Sequence, residues 1–169
     1  MKKKPPRDPI AEFERETRAQ RRVGLGNKCH ACGEDRPLAL IPSSDPTICA
    51  ACQRRQNGRS EFDHHHPAGK ANNPATVPVD TNDHRAVLSP QQYNWPKETF
   101  ENPTGSPLRV SAANVRGYVE TSEYFVAVLL IPLAEMDEAL DSFLLKRLGP
   151  EWWVGTEMER FAAKPKRKR

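Results

Sequence analysis

Histidines carry most of the reactive chemistry in this sequence. Four of the five lie between residues 61 and 89, where His64, His65 and His66 are followed 18 positions later by His84. Imidazole is a common ligand of divalent transition metals and the usual general base near neutral pH. The cluster therefore predicts a metal site with a further histidine beside it that accepts a proton. The competing interpretation is a second structural zinc site or no site, since histidine-rich tracts also bind metal without catalysis.

The residues around the histidines predict a hairpin followed by a helix. Residues 61–65 suit a short strand, a Pro-Ala-Gly turn follows, and residues 76–79 suit a returning strand at a sheet edge. The next residues can start a helix near Asp83 that is capped by Asp80 or Asn82 and runs to residue 88. This order of elements would bring the fourth histidine back beside the first three.

The cysteines predict a separate metal site. The four form two Cys-x-x-Cys pairs separated by 16 residues: Cys29, Cys32, Cys49 and Cys52. Two such pairs offer four thiolates to a tetrahedral zinc ion. No export signal opens the chain, which disfavours disulfides and predicts a cytoplasmic protein. A closed four-cysteine site leaves no open coordination position, so this zinc would be structural.

Together these residues resemble the ββα-metal core of the HNH endonuclease family, particularly compact members with the pattern HHxAGR-N-P-TVPxCxxCH. The matching segments are residues 65–70 (HHPAGK), 73–74 (NP), 76–79 (TVPV) and 84–85 (HR). The resemblance implies an α+β protein with a small zinc-stabilised ββα-metal core. With the upstream cysteines it covers about a third of the chain.

The resemblance also implies roles for the histidines. In that family the first histidine of the pair binds the metal, the second activates water, and the histidine that opens the helix is another ligand. By position, His65 and His84 would hold a catalytic divalent cation (Mg²⁺, Mn²⁺ or Zn²⁺), and His66 would be the general base. The implied enzyme is a metal-dependent endonuclease that hydrolyses DNA phosphodiester bonds, with a structural Zn²⁺ at the cysteines.

Two assignments within this site stay open. The family has a central asparagine that orients the base or helps to hold the metal, and both Asn73 and Asn82 are candidates for it. The register of the histidine pair is also open, because Asp63-His64 is an acid–histidine pair of the same strand parity. The Pro-Ala-Gly-Lys segment directly after His66 favours the later pair.

Basic residues near the histidines are candidates for contacts to a nucleic-acid backbone. They are Arg54, Arg55, Arg59, Lys70 and Arg85. The rival function is a non-catalytic zinc-ribbon protein that binds nucleic acid or acts as an adaptor, with a degenerate HNH site. Thr76 falls where the family's central asparagine is expected by spacing, and this departure favours the rival.

Composition predicts a small core and basic ends. Apolar residues make up 37% of the 169-residue chain, and sixteen prolines accompany nine glycines. A core of this kind often needs a metal or a partner chain. The two end segments MKKKPPR and KPKRKR hold 9 of the 26 basic residues, which leaves 17 basic and 22 acidic residues between them. The longest apolar run is too short to span a membrane.

The predicted organisation has five parts. Residues 1–8 form a disordered basic arm, residues 9–90 the zinc-knuckle and nuclease core with a first helix over 9–23, residues 91–110 a proline-rich linker, residues 111–160 a helical hairpin and residues 161–169 a basic tail. The hairpin is predicted from helical patterns over 111–131 and 133–148, with Pro132 as the break. Its broad apolar face predicts self-association or a protein partner.

Overall fold

The structure is a computed structural model that describes residues 9–162. The predicted basic arm, residues 1–8, and the predicted basic tail from residue 163 onward lie outside the described residues. The chain divides into two compact units, Met1–Tyr124 and Phe125–Arg169. The described residues form a mixed α+β protein with a small two-stranded sheet and several helices.

The first helix, α1, covers Pro9–Val23, as predicted. A proline fits the first turn of a helix, and Gly24 follows the last residue with a φ of +90°, which favours glycine. The Arg15 guanidinium donates to the Asn94 side-chain oxygen at 3.1 Å and lies over the Tyr93 ring. The helix α1 therefore contacts residues that follow the histidine segment in sequence.

The first Cys-x-x-Cys segment lies between α1 and the second helix, α2 (Ala50–Gln56), and the second segment forms the N-cap and the first turn of α2. A β-bridge pairs Leu40 with Cys49. Apolar side chains pack around the cysteines, with Val23, Leu40 and Ile48 buried among them. This part of the core is thus built around the cysteine side chains.

The histidine segment forms the predicted hairpin and helix. The antiparallel strands β1 (Phe62–His65) and β2 (Val77–Asp80) are followed directly by helical residues 81–93. These comprise α3 (Thr81–Asp83), a π-helical segment (His84–Leu88) and α4 (Ser89–Tyr93). The helix begins two residues earlier than predicted and extends five residues further.

Strand β1 separates its side chains onto two faces. Asp63 and His65 alternate with Phe62 and His64, so the two pairs lie on opposite faces of the strand. Phe62 and His64 are exposed, whereas His65 is buried and Asp63 is partly buried. The buried face is the one that meets His84.

A second small core attaches the turn after β1 to α6 (Pro107–Phe125). Ala68, Trp95 and Ala113 are buried together, and Phe100, at the end of α5 (Lys97–Phe100), packs against them. The segment predicted as a linker therefore contributes two aromatic side chains to the core.

Gly117 brings α6 into backbone contact with the same turn. A Cβ atom built on Gly117 would overlap the carbonyl group of Pro67 and would lie 2.9 Å from the Ala68 nitrogen. Trp95 secures the neighbouring turn of α6, because its indole N–H donates to both carboxylate oxygens of buried Glu120 at 3.0 Å.

The predicted break at Pro132 is wrong. Every residue from 107 to 148 is helical: α6 is followed by a second π-helical segment (Val126–Leu130) and by α7 (Ile131–Leu148). The Ile131 N–H donates to the Val126 carbonyl, five residues back. Proline lacks the N–H of an α-helical bond and collides with the carbonyl four residues earlier, and the wider π turn relieves both problems. Hence the helical conformation continues through Pro132.

The first π-helical segment has the same arrangement. The Ser89 N–H donates to the His84 carbonyl, five residues back, and Pro90 follows directly. In both places a proline is therefore accommodated inside a helical stretch by the turn that precedes it.

The unit from Phe125 onward contains α7 and a short 3₁₀ helix (Glu157–Phe161). The indole N–H of Trp152 donates to the Asp141 carboxylate at 2.8 Å and ties the residues after α7 back to that helix. The predicted apolar face of α7 is exposed, and it includes Leu133, Met136, Leu140 and Phe143. Within residues 9–162, none of the helices has the length and apolarity needed to cross a membrane.

Candidate metal centre and histidine site

The four cysteines form a compact cluster. Their sulfur atoms all lie within 4.8 Å of one another, and the four side chains are free of disulfide bonds. Four thiol ligands in this arrangement are the donor set that zinc takes in closed structural sites. The predicted convergence of Cys29, Cys32, Cys49 and Cys52 is confirmed, and the cluster can hold a structural metal ion such as zinc.

The protonation chemistry of the cluster also suits a cation. Burial raises the pKa of the Cys52 thiol, and contacts with the other three cysteine side chains raise it further. At Cys29 burial acts in the same direction, but backbone N–H donors outweigh it and lower the pKa to about 6. Because thiolates crowded together repel one another, a cation bound to all four would favour their deprotonation.

Asn82 hydrogen-bonds two groups at the cysteine cluster. Its buried side chain donates from Nδ2 to the Cys49 sulfur at 3.2 Å and accepts the Ala51 N–H at Oδ1 at 3.0 Å. The sequence makes Asn82 a candidate for the catalytic asparagine, but both ends of its amide are engaged here. The amide therefore serves the metal centre in this structure.

Two aspartates stand where the HNH pattern often has a Cys-x-x-Cys, and both have structural partners. The Asp80 side chain caps α3 by accepting the N–H groups of Asn82 at 2.8 Å and Asp83 at 3.2 Å. The Asp83 carboxylate pairs with Arg36 at 2.7 Å and accepts the Tyr124 hydroxyl at 2.9 Å. These contacts fix the helix start directly before His84.

The hairpin and helix bring three potential ligands together. The Nδ1 atom of His84 lies 3.1 Å from an Asp63 carboxylate oxygen, and the rings of His84 and His65 meet edge to face with centroids 5.2 Å apart. Thus the predicted proximity of His65 and His84 is observed. Asp63 joins them, although the sequence had singled it out only as part of the alternative register.

The histidine site does not supply a complete set of metal ligands. Among the described residues, the four cysteines are the one set of three or more cysteine, histidine or carboxylate side chains close enough to hold an ion. Asp63, His65 and His84 offer one carboxylate and two imidazoles, which are donor types that divalent transition metals take.

His65 is held in the form that can bind a metal. Burial, with the nearby His84 and His66 rings, lowers the pKa of His65 to about 4. Its ring is therefore neutral at physiological pH, and a neutral imidazole nitrogen is a metal ligand. Within residues 9–162, the buried Nδ1 atoms of His65 and His66 have no hydrogen-bond partner, although buried polar groups usually have one.

Gln92 positions the backbone of His66. Its Nε2 atom donates to the His66 carbonyl at 2.6 Å and to the Pro67 carbonyl at 3.0 Å. Gly69, with a φ of +76°, closes the turn by donating its N–H to the His66 carbonyl. Gln92 is not among the residues predicted from the sequence, because a glutamine 26 residues away carries no local signal for a contact with this turn.

The other predicted asparagine lies in a different network. The Asn73 side chain donates to the Asn114 side-chain oxygen at 2.9 Å and accepts the Ala75 N–H at 2.9 Å. It therefore joins the loop of the hairpin to α6. Neither candidate asparagine has a hydrogen bond to a histidine among the contacts of the described residues.

The predicted nucleic-acid contacts fall into two groups. Three side chains have partners within the protein: Arg54 pairs with Asp63 at 2.6 Å, Arg55 pairs with Glu61, and Arg85 donates to the Leu38 carbonyl at 3.2 Å. Arg59 and Lys70 are exposed. The pairing of Arg54 with Asp63 places a cation beside the carboxylate that contacts His84.

Comparison of the chain with protein-family models, with curated proteins and with solved structures finds no match.

Proposed function

We propose that the protein is an HNH-type, metal-dependent endonuclease that hydrolyses phosphodiester bonds of DNA. The observation that carries the proposal is the convergence of Asp63 and His65, on one face of β1, with His84 from the following helix. A strand hairpin that presents ligands to the first turns of a helix is the arrangement that the sequence resemblance implies. The cysteine cluster directly upstream would stabilise it.

The roles follow from the positions of the side chains. His65 and His84, with Asp63 beside them, would hold a divalent cation, and such an ion stabilises the negative charge that develops on the phosphate and the leaving oxygen. The His66 ring, whose backbone is fixed by Gln92, would accept a proton from the attacking water. Exposed Lys70, in the turn after His66, would contact the nucleic-acid backbone.

One observation favours a second candidate, a metal-stabilised protein that binds nucleic acid without cleaving it. The amides of Asn73 and Asn82 are engaged away from the histidines, so the site lacks a hydrogen-bonded asparagine from these two positions. The exposed apolar face of α7 would then serve a protein partner.

Plasmid nicking separates the two candidates. We expect nicking by the purified protein with Mg²⁺ or Mn²⁺, no nicking with chelator, and a loss of about 10²- to 10⁴-fold in rate for His66→Ala, because a positioned general base contributes about that factor. His84→Ala is expected to raise the metal concentration needed for activity. His30→Ala is the matched control, since His30 is an exposed histidine of the cysteine segment whose ring nitrogen Nδ1 lies 3.1 Å from the Thr47 carbonyl.

The same assay tests the register of the histidine pair. If Asp63 and His84 are the ligands and His64 is the base, His64→Ala abolishes nicking and His66→Ala retains it. Folded, metal-loaded protein that binds DNA and shows no nicking with any divalent metal would reject the nuclease in favour of the binding protein.

A further inference from the structure

We infer that Asn82 is a positioning residue that couples the four-cysteine metal centre to the histidine site. The coupling to activity depends on the proposed nuclease function, whereas the coupling to the metal does not. The inference is carried by one buried amide that joins the metal centre to the helix of the histidine site.

Asn82 joins two elements, because its backbone belongs to one and both ends of its side-chain amide bond the other. On one side are the Cys49 sulfur and the Ala51 N–H, which belong to the cysteine cluster and the first turn of α2. On the other side is α3, which Asn82 itself helps to form. The side chain is only 6% exposed, so water does not replace these bonds. An amide N–H donated to a thiolate is a charge-assisted bond, and such bonds are stronger than neutral ones.

The helix start has little freedom once this bond is made. Thr81, directly before Asn82, donates both its N–H (2.9 Å) and its hydroxyl (2.6 Å) to the Glu61 carbonyl at the base of β1. His84 follows two residues after Asn82, and its ring contacts Asp63 and His65. A shift of the Cys49 sulfur is thus transmitted through Asn82 to the helix turn that carries His84.

The helix that carries His84 is linked to the metal centre by a hydrogen bond and not by a metal ligand of its own. Residues 80–83 contain no cysteine, so this helix does not contribute a thiolate to the metal. The Asn82 amide instead reaches the metal centre through a hydrogen bond to one of its ligands. Groups that hydrogen-bond metal ligands typically change metal affinity about 10- to 100-fold when they are removed.

The first test measures the metal centre alone. Zinc affinity is measured by competition with a chromophoric chelator, and the thiolate-to-metal absorption is measured in cobalt-loaded protein. We expect Asn82→Ala and Asn82→Asp to weaken zinc binding about 10- to 100-fold and to shift the cobalt absorption, because the Cys49 thiolate loses an N–H donor. If only the aspartate weakens binding, added charge explains the effect and the proposed role of the N–H is overturned.

Asn72→Asp is the matched control. Asn72 is a partly buried asparagine whose Nδ2 donates to the backbone carbonyls of Ala68, Thr99 and Phe100, and none of these bonds, within the described part of the chain, involves a cysteine. This variant is expected to lower stability without changing the cobalt absorption. An equal change in both variants would show that the spectrum reports general damage, and would overturn the inference.

A measurement on the wild-type protein avoids variants that fail to fold. In protein loaded with cadmium-113, nuclear spin coupling across an N–H···S bond should connect the metal to a side-chain amide proton of Asn82. Absence of this coupling in a protein that shows the corresponding backbone coupling from Cys52, whose N–H also donates to the Cys49 sulfur, would overturn the inference.

The link to the histidine site is tested by the His84 ring. Zinc removal and Asn82→Ala are both expected to shift the ring nitrogen resonances of His84, while Asn72→Asp leaves them unchanged. If these shifts appear and no variant or metal yields nicking, the coupling stands and the proposed nuclease function fails. If nicking is present and the His84 resonances do not respond, the function stands and the coupling fails.

Discussion

The substitution Cys49→Ser is expected to abolish metal binding at the cysteine cluster and to unfold the segment around it. Cys49 is fully buried, caps α2, and its sulfur lies among three other cysteine sulfurs. Structural zinc sites supply about 10–16 kcal/mol of apparent binding free energy, which is comparable with the whole stability of about 5–15 kcal/mol of a typical domain. A cluster that loses its ion therefore leaves little to hold the surrounding residues together.

The measurement is thermal unfolding with and without a strong chelator, together with metal content by mass spectrometry. Val79→Thr is the matched control, because Val79 is also buried and lies in β2, and it does not belong to the apolar cluster that surrounds the cysteines. It is expected to lower the stability by about 1–3 kcal/mol, the cost of burying an unsatisfied hydroxyl, and to retain one metal ion per chain and the response to chelator. Wild-type protein that carries no metal, or that melts identically after its metal is removed, would refute the expectation.

The substitution Gly117→Ala is expected to destabilise the protein by about 3 kcal/mol or more, because overpacking against a rigid backbone exceeds the usual cost of an added methyl group. The new Cβ would overlap the Pro67 carbonyl and press on the Ala68 nitrogen. Relief would require α6 to move away from the turn that follows His66. Helix propensity alone predicts the opposite sign, a gain of about 1 kcal/mol on replacing glycine by alanine.

Urea unfolding shows whether Gly117→Ala lowers or raises the free energy of unfolding. Ser111→Ala, at an exposed position of the same helix, is the control, and it is expected to leave the free energy of unfolding within about 0.5 kcal/mol of the wild-type value. Gly117→Ala protein with unchanged or increased stability would show that α6 does not lie against the turn.

Local patterns predicted the elements that depend on neighbouring residues. Helix α1 begins and ends where proline and glycine predict, and the paired Cys-x-x-Cys spacing brings the four sulfur atoms together. The strands predicted over 61–65 and 76–79 lie at Phe62–His65 and Val77–Asp80, within about one residue. In each case the signal is a residue type at a fixed offset along the chain.

Contacts between distant residues had no such signal. The Asn82 amide bonds Cys49 from 33 positions away, and Gln92 bonds the His66 carbonyl from 26 positions away. A glycine inside a helical pattern does not reveal whether it weakens the helix or admits a neighbour, so the role of Gly117 emerged only from the packing. Pro132 was misjudged for a similar reason. A proline predicts the end of a helix, but it does not predict the π turn that lets the helical conformation continue.

The other π-helical segment, His84–Leu88, has a geometric consequence at the histidine site. An α-helix rotates about 100° per residue, so His84 and Gln92, eight positions apart, would point about 80° away from each other on a regular helix. A π turn accommodates about one extra residue and reduces that angle to about 20°. Both side chains can then face the hairpin, where His84 meets Asp63 and Gln92 holds the His66 carbonyl. Pro90 cannot donate the α-helical bond to the carbonyl of residue 86, so it keeps the turn in this state. The angle around the helix axis between His84 and Gln92 is thus set by Pro90, six residues after His84. This proline contributes no ligand, base or charge to the site.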